Sequence, residues 1–352
     1  MDANNDGQET EGMSWHGRRV LVTGGASFIG SHLVDGLVER GANVRVVDDL
    51  SSGLTENLAP HLIGSTPAVE LIEGDLRRQD VAANAVRGQD VVFHLAAAHG
   101  GRGFVDLHAA ACAQNLMLDG IVFDACSEEG VEKVVYASSA CVYPNDLQTD
   151  PNEVVYLREE MAVPPYDADN MYGWAKLMGE KTLEAYYKDR DLASVSLRFF
   201  TVFGPRGAEN HAILAMIARA FIGQDPFHVW GTGEQIRNWT YVSDVVRGTI
   251  RAAEEISDGS AVNIGTMERT RVIEAAEEVL RYTSTDARIE TQPDMPTGPL
   301  NRAADNRHAR ELLGWEPEVS FRDGLHETID WYYANKDRDL VSAEFERLLT
   351  ER

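Results

Sequence analysis

The chain has 352 residues and carries 32 Lys+Arg against 57 Asp+Glu, a formal net charge of −25. Basic residues so outnumbered argue against a nucleic-acid-binding surface, which needs clustered Lys and Arg, and no apolar run approaches the ~18 residues of a membrane span. With 43% hydrophobic residues and only 3 cysteines, the composition fits a cytoplasmic globular protein with a sizeable core and neither a disulfide framework nor a metal site.

Residues 1–16 lack apolar periodicity and read as a disordered tail. From Arg18 onward short β-branched runs alternate with segments of 3.6 periodicity: RVLVTG, a helix to about Arg40, then NVRVVDD, VELIEGD and DVVFHLAA. This is an α/β pattern, a doubly wound parallel sheet with helices on both faces. A long helix is expected over about 105–129, then the strand KVVYASS, an irregular stretch to about 168, a helix over about 169–189 and the strand ASVSLRFF. After Gly204-Pro205 the texture changes to shorter elements with turn signals, ending in helices over about 320–335 and 338–350. The chain divides into a sheet-building part, 17–200, and a smaller C-terminal α+β region, 201–352, with residues 261–264 a candidate for one more strand of the main sheet.

The first strand runs directly into Gly24-Gly25-Ala26-Ser27-Phe28-Ile29-Gly30 and then an amphipathic helix. Such a turn places backbone N–H groups and a helix N-terminus against a pyrophosphate. The second strand ends in Asp48, close to the ~20-residue spacing expected of a ribose-binding acid. A carboxylate there bonds a free ribose diol and repels a 2′-phosphate, which favours NAD over NADP. Asp75, closing EGD after the third strand, is placed to reach the adenine amino group.

Tyr172 and Lys176 stand four apart on one helical face. An ammonium there can lower the phenol, whose reference pKa is about 10, into the range of a usable base. Ser139, on the loop leaving KVVYASS, can share the substrate proton.

The succession TGGxxFIG, VVDDLSSG, EGDLR, FHLAA, SSACVYP, YGWAK, RFFTVFGPR, WGTGEQIRNWTYVSD and LGWEP resembles the extended short-chain dehydrogenase/reductase family, in its nucleotide-sugar epimerase and dehydratase branch. The resemblance covers about 17–335. It implies a Rossmann fold with NAD, a nucleotide-diphosphate sugar bound mainly by the C-terminal region, oxidation at C4, and a homodimer. Ser139, Tyr172 and Lys176 match the family's catalytic set, and Gly24, Ser27, Phe28, Ile29, Gly30, Asp48, Asp75, Leu95, Ala96 and Ala97 its cofactor contacts.

Within the family the loops His99–Phe104 and Ser138–Pro144 resemble those of the GDP-mannose 3,5-epimerases, which implies that Gly101, Arg102 and Gly103 face the sugar. Cys141 replaces a Glu that moves the C5 proton in the 4,6-dehydratases, and a thiol can serve as acid/base beside a C4 ketone. Cys112 and Cys126, on a helix, read as core. Arg237 and Arg302 match arginines that hold the diphosphate, with Thr201 and Asn210 beside them. The chain departs from the pattern at Ser27, where the family has glycine, at Thr201, where it has Asn, and at His211, the nearest candidate for the Lys that partners the thiol. The resulting expectation is an NAD-dependent epimerase acting at C5, C3 or both through a 4-keto sugar. The alternatives are a plain 4-epimerase, a UDP-glucuronate decarboxylase or, outside enzymes, an NAD-binding regulator.

Overall fold

The computed structural model describes residues 14–63 and 67–349. Seven strands alternating with helices build the central sheet. They include β1 (Arg19–Thr23), β2 (Asn43–Asp48), β3 (Val69–Glu73), β4 (Val91–His94), β5 (Lys133–Ser139) and β6 (Ala193–Phe199). Beyond them come β7 (Val202–Phe203), β8 (Phe227–Trp230), β9 (Ile236–Arg237), β10 (Thr240–Tyr241) and β11 (Asp258–Ile264). The sheet order is β11-β6-β5-β4-β1-β2-β3, all parallel. This is the six-stranded Rossmann order extended by one strand, so the segment flagged near 261 does rejoin the sheet.

Alternation along the strands feeds two cores. Val20, Val22, Val44 and Val46 face one layer, with α1 (Phe28–Glu39) and the helix Val242–Glu255. Leu21, Val47, Val134 and Tyr136 face the other. α2 (Ala59–Leu62) packs on the first layer through Leu62, the second holds α3 (Gln79–Val86), α6 (Asn115–Glu128) and α7 (Asn170–Arg190), and α4 (Arg102–Leu107) and α5 (Ala109–Ala113) form a small cluster around Tyr172. A third core joins α8 (Ala212–Ile222) to β8 and to the helices Val272–Thr283, Phe321–Asn335 and Arg338–Leu348.

Two expectations change. The single helix over 105–129 is three pieces, because the backbone leaves helical geometry at His108 (φ −118°, ψ 45°) and turns again at Gln114. The break lets α4 bring Arg102 and Val105 to the cavity wall while α6 packs on the sheet. Of the tail expected over 1–16, residues 1–13 lie outside the described residues. Trp15, by contrast, is buried against Phe93, and its indole N–H donates to Glu254 at 2.7 Å. Cys112 and Cys126 are both fully buried. Among the described residues no helix is long and apolar enough to cross a membrane, and no cluster of His, Cys, Asp and Glu could hold a metal.

Candidate active site

One cavity of about 950 Å³ runs along the C-terminal edge of the sheet. Its walls include every residue assigned to the site from the sequence except Gly103, which is buried in the first turn of α4.

At one end the wall is backbone. Gly24 has φ +68°, and a Cβ on Gly30 would stand 2.1 Å from the Gly24 carbonyl oxygen, so only glycines let the β1–α1 turn close this tightly. Ser27, the departure from the family pattern, fits because it is the N-cap of α1 and its hydroxyl donates back to Gly24 O at 2.7 Å. The free N–H groups of the first α1 turn face the cavity as an anion cradle. Asp48 is fixed by backbone N–H donors from Ala26 (3.0 Å) and Leu50 (2.9 Å). Asp75 is gripped by the Arg77 guanidinium, whose hydrogen bond holds its carboxyl below the usual range. Leu95 and Ala96 donate backbone N–H groups to Thr23 Oγ1, which pins the loop carrying Ala97. The cradle, the acid at the end of β2 and the backbone approach fit a dinucleotide.

In the middle lie Ser139, Tyr172 and Lys176. Ser139 leaves β5 and accepts from Cys141 N at 3.1 Å. The first turn of α7 carries Tyr172, and the next turn brings Lys176 onto the same face, with Nζ 5.8 Å from the Tyr172 ring centre. Burial, then the neighbouring Cys141, Asp119 and Cys112, hold the phenol well above its usual value, while the Ser139 hydrogen bond acts in the opposite direction. The lowering by the ammonium that the sequence leads one to expect is not among these effects, and burial dominates. Burial also pushes Lys176 down, and its Nζ meets no hydrogen-bond acceptor among the described residues. A buried unpartnered ammonium beside a dinucleotide cradle fits ribose hydroxyls as its acceptors.

At the far end the wall is side chains from widely separated segments. Arg302 donates to Gln148 Oε1 (2.7 Å), to Asp169 Oδ2 (3.1 Å) and to the Cys141 sulfur (3.2 Å). Arg102 donates to both Asp169 oxygens at 3.0 Å and to Asp106 at 2.8 Å. Burial pushes the Asp169 carboxyl up, but Arg302 and Arg102 outweigh it and hold it below the usual range. Among the described residues Arg237 donates only to the backbone carbonyls of Ile236 and Thr297. Burial, then Arg302 and Arg102, push it down to about 9, the mark of a guanidinium without a counter-ion in a place suited to an anion. Thr201 and Asn210 line the same end. A Cβ on Gly101 would stand 1.6 Å from the Asn210 carbonyl oxygen, so the loop 99–104 interlocks with 207–211 through that glycine.

His211 caps α8 at its N-terminus, and burial pushes it down to about 4, so near neutral pH it is an uncharged imidazole with one ring nitrogen protonated and one free to accept. The His99 ring lies 5.3 Å from His211 and 4.9 Å from Tyr172. His99 was quoted in the loop but not recognised as the residue between them, and Asp169 was missed although an acid directly before the Tyr-Lys helix was visible.

A dinucleotide cradle opening onto a Ser-Tyr-Lys set is the arrangement of the extended short-chain dehydrogenases/reductases. A model of the NAD dependent epimerase/dehydratase family matches residues 20–265, and the chain belongs to that family. It is 34% identical over 322 residues to GDP-mannose 3,5-epimerase 1 of Oryza sativa subsp. japonica, covering 89% of this chain and 81% of the relative. It is 30% identical over 334 residues to the UDP-N-acetyl-alpha-D-glucosaminuronate decarboxylase of Bacillus cytotoxicus, covering 90% and 98%. The solved UDP-glucuronic acid 4-epimerase of Bacillus cereus, in complex with UDP-glucuronic acid and NAD, superposes with a TM-score of 0.80 at 28% identity, covering 90% of this chain and 100% of that one. The cofactor of the family is NAD.

Proposed function

We propose that the protein is a nucleotide-sugar epimerase that oxidises C4, inverts C5, C3 or both, and restores the C4 hydroxyl. The observation that carries this reading is the Cys141–Arg302 contact of 3.2 Å, two residues from Ser139 and on the cavity wall. Tyr172 takes the proton of the C4 hydroxyl, with Ser139 sharing it. The chemistry that bound NAD supplies is hydride removal at C4 and its later return. The ketone acidifies the neighbouring C–H bonds, and Cys141 moves a proton there while Arg302 fixes the sulfur. Inversion needs a second group on the opposite ring face, and in this reading the uncharged His211 imidazole on the cavity wall is the proton acceptor. Arg237, with no acid paired to it, holds the diphosphate, and Asp48 holds the adenosine ribose diol. GDP-mannose is the first substrate to try, given the identity to the rice enzyme.

Exposed Leu107, Leu116 and Met117 lie beside exposed Met171, Trp174 and Met178 on the outer faces of α4, α6 and α7. The last three repeat at helical spacing on a surface continuous across α6 and α7, which are tied by Tyr186–Asp124 and Arg190–Glu128. This stripe suits a two-helix face of a homodimer. Incubating the protein with GDP-, UDP- and dTDP-sugars in deuterated water and reading the products by NMR tests the reaction. Deuterium at C3 or C5 supports it, and inversion at C4 without exchange replaces it with plain 4-epimerisation. Tyr172→Phe abolishes the oxidation in either case.

A further inference from the structure

Behind the Tyr172–Lys176 pair lies a chain of buried polar groups that the reaction scheme leaves unused. Thr23 Oγ1 already accepts from Leu95 N and Ala96 N, so its own proton points to His94 Nδ1, 2.8 Å away. His94 Nε2 is then the donor to Asp119 Oδ1 at 3.0 Å. Tyr136 donates its hydroxyl proton to Asp119 Oδ2 at 2.5 Å. Lys176 Nζ sits over the face of that same Tyr136 ring, 4.6 Å from its centre. His94, Asp119 and Tyr136 are all at most 2% exposed. The close approach of α7 depends on Gly179, because a Cβ there would stand 2.3 Å from the Tyr136 hydroxyl.

We propose that Asp119 is a positioning residue for Lys176: its carboxylate, held by His94 and Tyr136, is the fixed counter-charge of the buried ammonium, with the Tyr136 ring between them. An ammonium over an aromatic face is attracted to the ring's electron density. Donating the phenol proton to a carboxylate raises that density without ionising the ring. Burial, followed by Asp119, holds Tyr136 well above its usual value, so it stays a phenol and keeps donating. Lys176 is pushed down by burial, and the Asp119 charge opposes that push. The other titratable groups facing the cluster are Tyr172 and Glu180 from α7. Glu180 is occupied by Arg198, at 2.8 and 3.0 Å, and by Ser138. The same chain ends on the backbone of Leu95 and Ala96, so the lysine's charge and the cofactor loop hang on one network. The catalytic meaning of this rests on the Tyr-Lys reading above, whereas the charge pairing does not.

The full-length protein is therefore tested without substrate. In ¹⁵N-lysine-labelled protein, with the Lys176 signal assigned by its loss in Lys176→Met, the ammonium-to-amine transition is followed against pH. In Asp119→Asn the transition moves to lower pH. In Tyr136→Phe, which keeps the carboxylate but removes its donor, it moves in the same direction and less far. The same midpoint in wild type and Asp119→Asn overturns the proposal. Should Asp119→Asn fold poorly, a thermal-melting cycle with Lys176→Met decides: a counter-charge predicts that the double variant loses less than the two single losses combined, because no charge is left unpaired, and additive losses contradict it. A shifted transition in a protein that turns over no nucleotide sugar supports the charge pairing and sinks the epimerase reading alone.

Discussion

At the dinucleotide end of the cavity the wall is backbone, contributed by one continuous turn and the strand end beside it; at the sugar end it is side chains brought together from loops near residues 102, 141, 169 and 302. The first kind of wall is fixed by sterics, since the contact of 2.1 Å awaiting any Cβ at Gly30 admits no compromise. The second is fixed by electrostatics, since Asp169 is the carboxylate bonded to both Arg102 and Arg302, and Arg302 in turn reaches the Cys141 sulfur. A backbone site tolerates changes of surface charge and fails on added volume. A charge-built site tolerates shape and fails when one member is neutralised.

Asp169→Asn is the sharpest way to break the sugar end. Removing one partner of a buried charge cluster costs about 3 kcal/mol, and releasing Arg302 from its set position lowers kcat/KM by about 100-fold. NAD affinity, measured by fluorescence titration, stays at the wild-type value. Gly30→Ala breaks the other end. Overpacking of about 1–3 kcal/mol lowers NAD affinity about 10- to 100-fold, while nucleoside diphosphate binding, followed by calorimetry, is unchanged. If either variant damages both ends equally, the division between them is wrong.

The smallest effect sharpens the comparison through pH. His211 is held at about 4 when folded, against about 6.5 unfolded. Its neutral folded form therefore loses stability as pH falls from about 6.5 towards 4, where the unfolded chain takes up the proton and the folded chain does not. His211→Asn flattens that part of the stability curve by about 1–2 kcal/mol, read from denaturant midpoints across the range.

The same division explains what could be read from the sequence. The turn Gly24–Gly30 and Asp48 are contiguous or one strand apart, so local pattern identifies them together with the strand and helix that present them. Tyr172 and Lys176 were legible because helical spacing puts them on one face. Asp169 lay one turn ahead of them yet had no visible partner, since Arg102 and Arg302 are 67 and 133 residues away. His94 and Asp119 were equally silent, because an Asp inside a helix reads as surface until the sheet buries it. The break at His108 left no proline or glycine mark. Trp15 was lost to the tail because the polar residues before it mask a single aromatic anchor.

The central claim is that Cys141 moves a proton at the carbon next to C4. It is tested by comparing wild type with Cys141→Ala on a turned-over nucleotide sugar in deuterated water, following absorbance of the reduced cofactor and deuterium in the sugar together. Transient reduction persists in the variant, because Ser139, Tyr172 and Lys176 are intact, and exchange at C3 and C5 disappears. Unchanged exchange in Cys141→Ala would contradict the account and leave the thiol as packing beside Arg302.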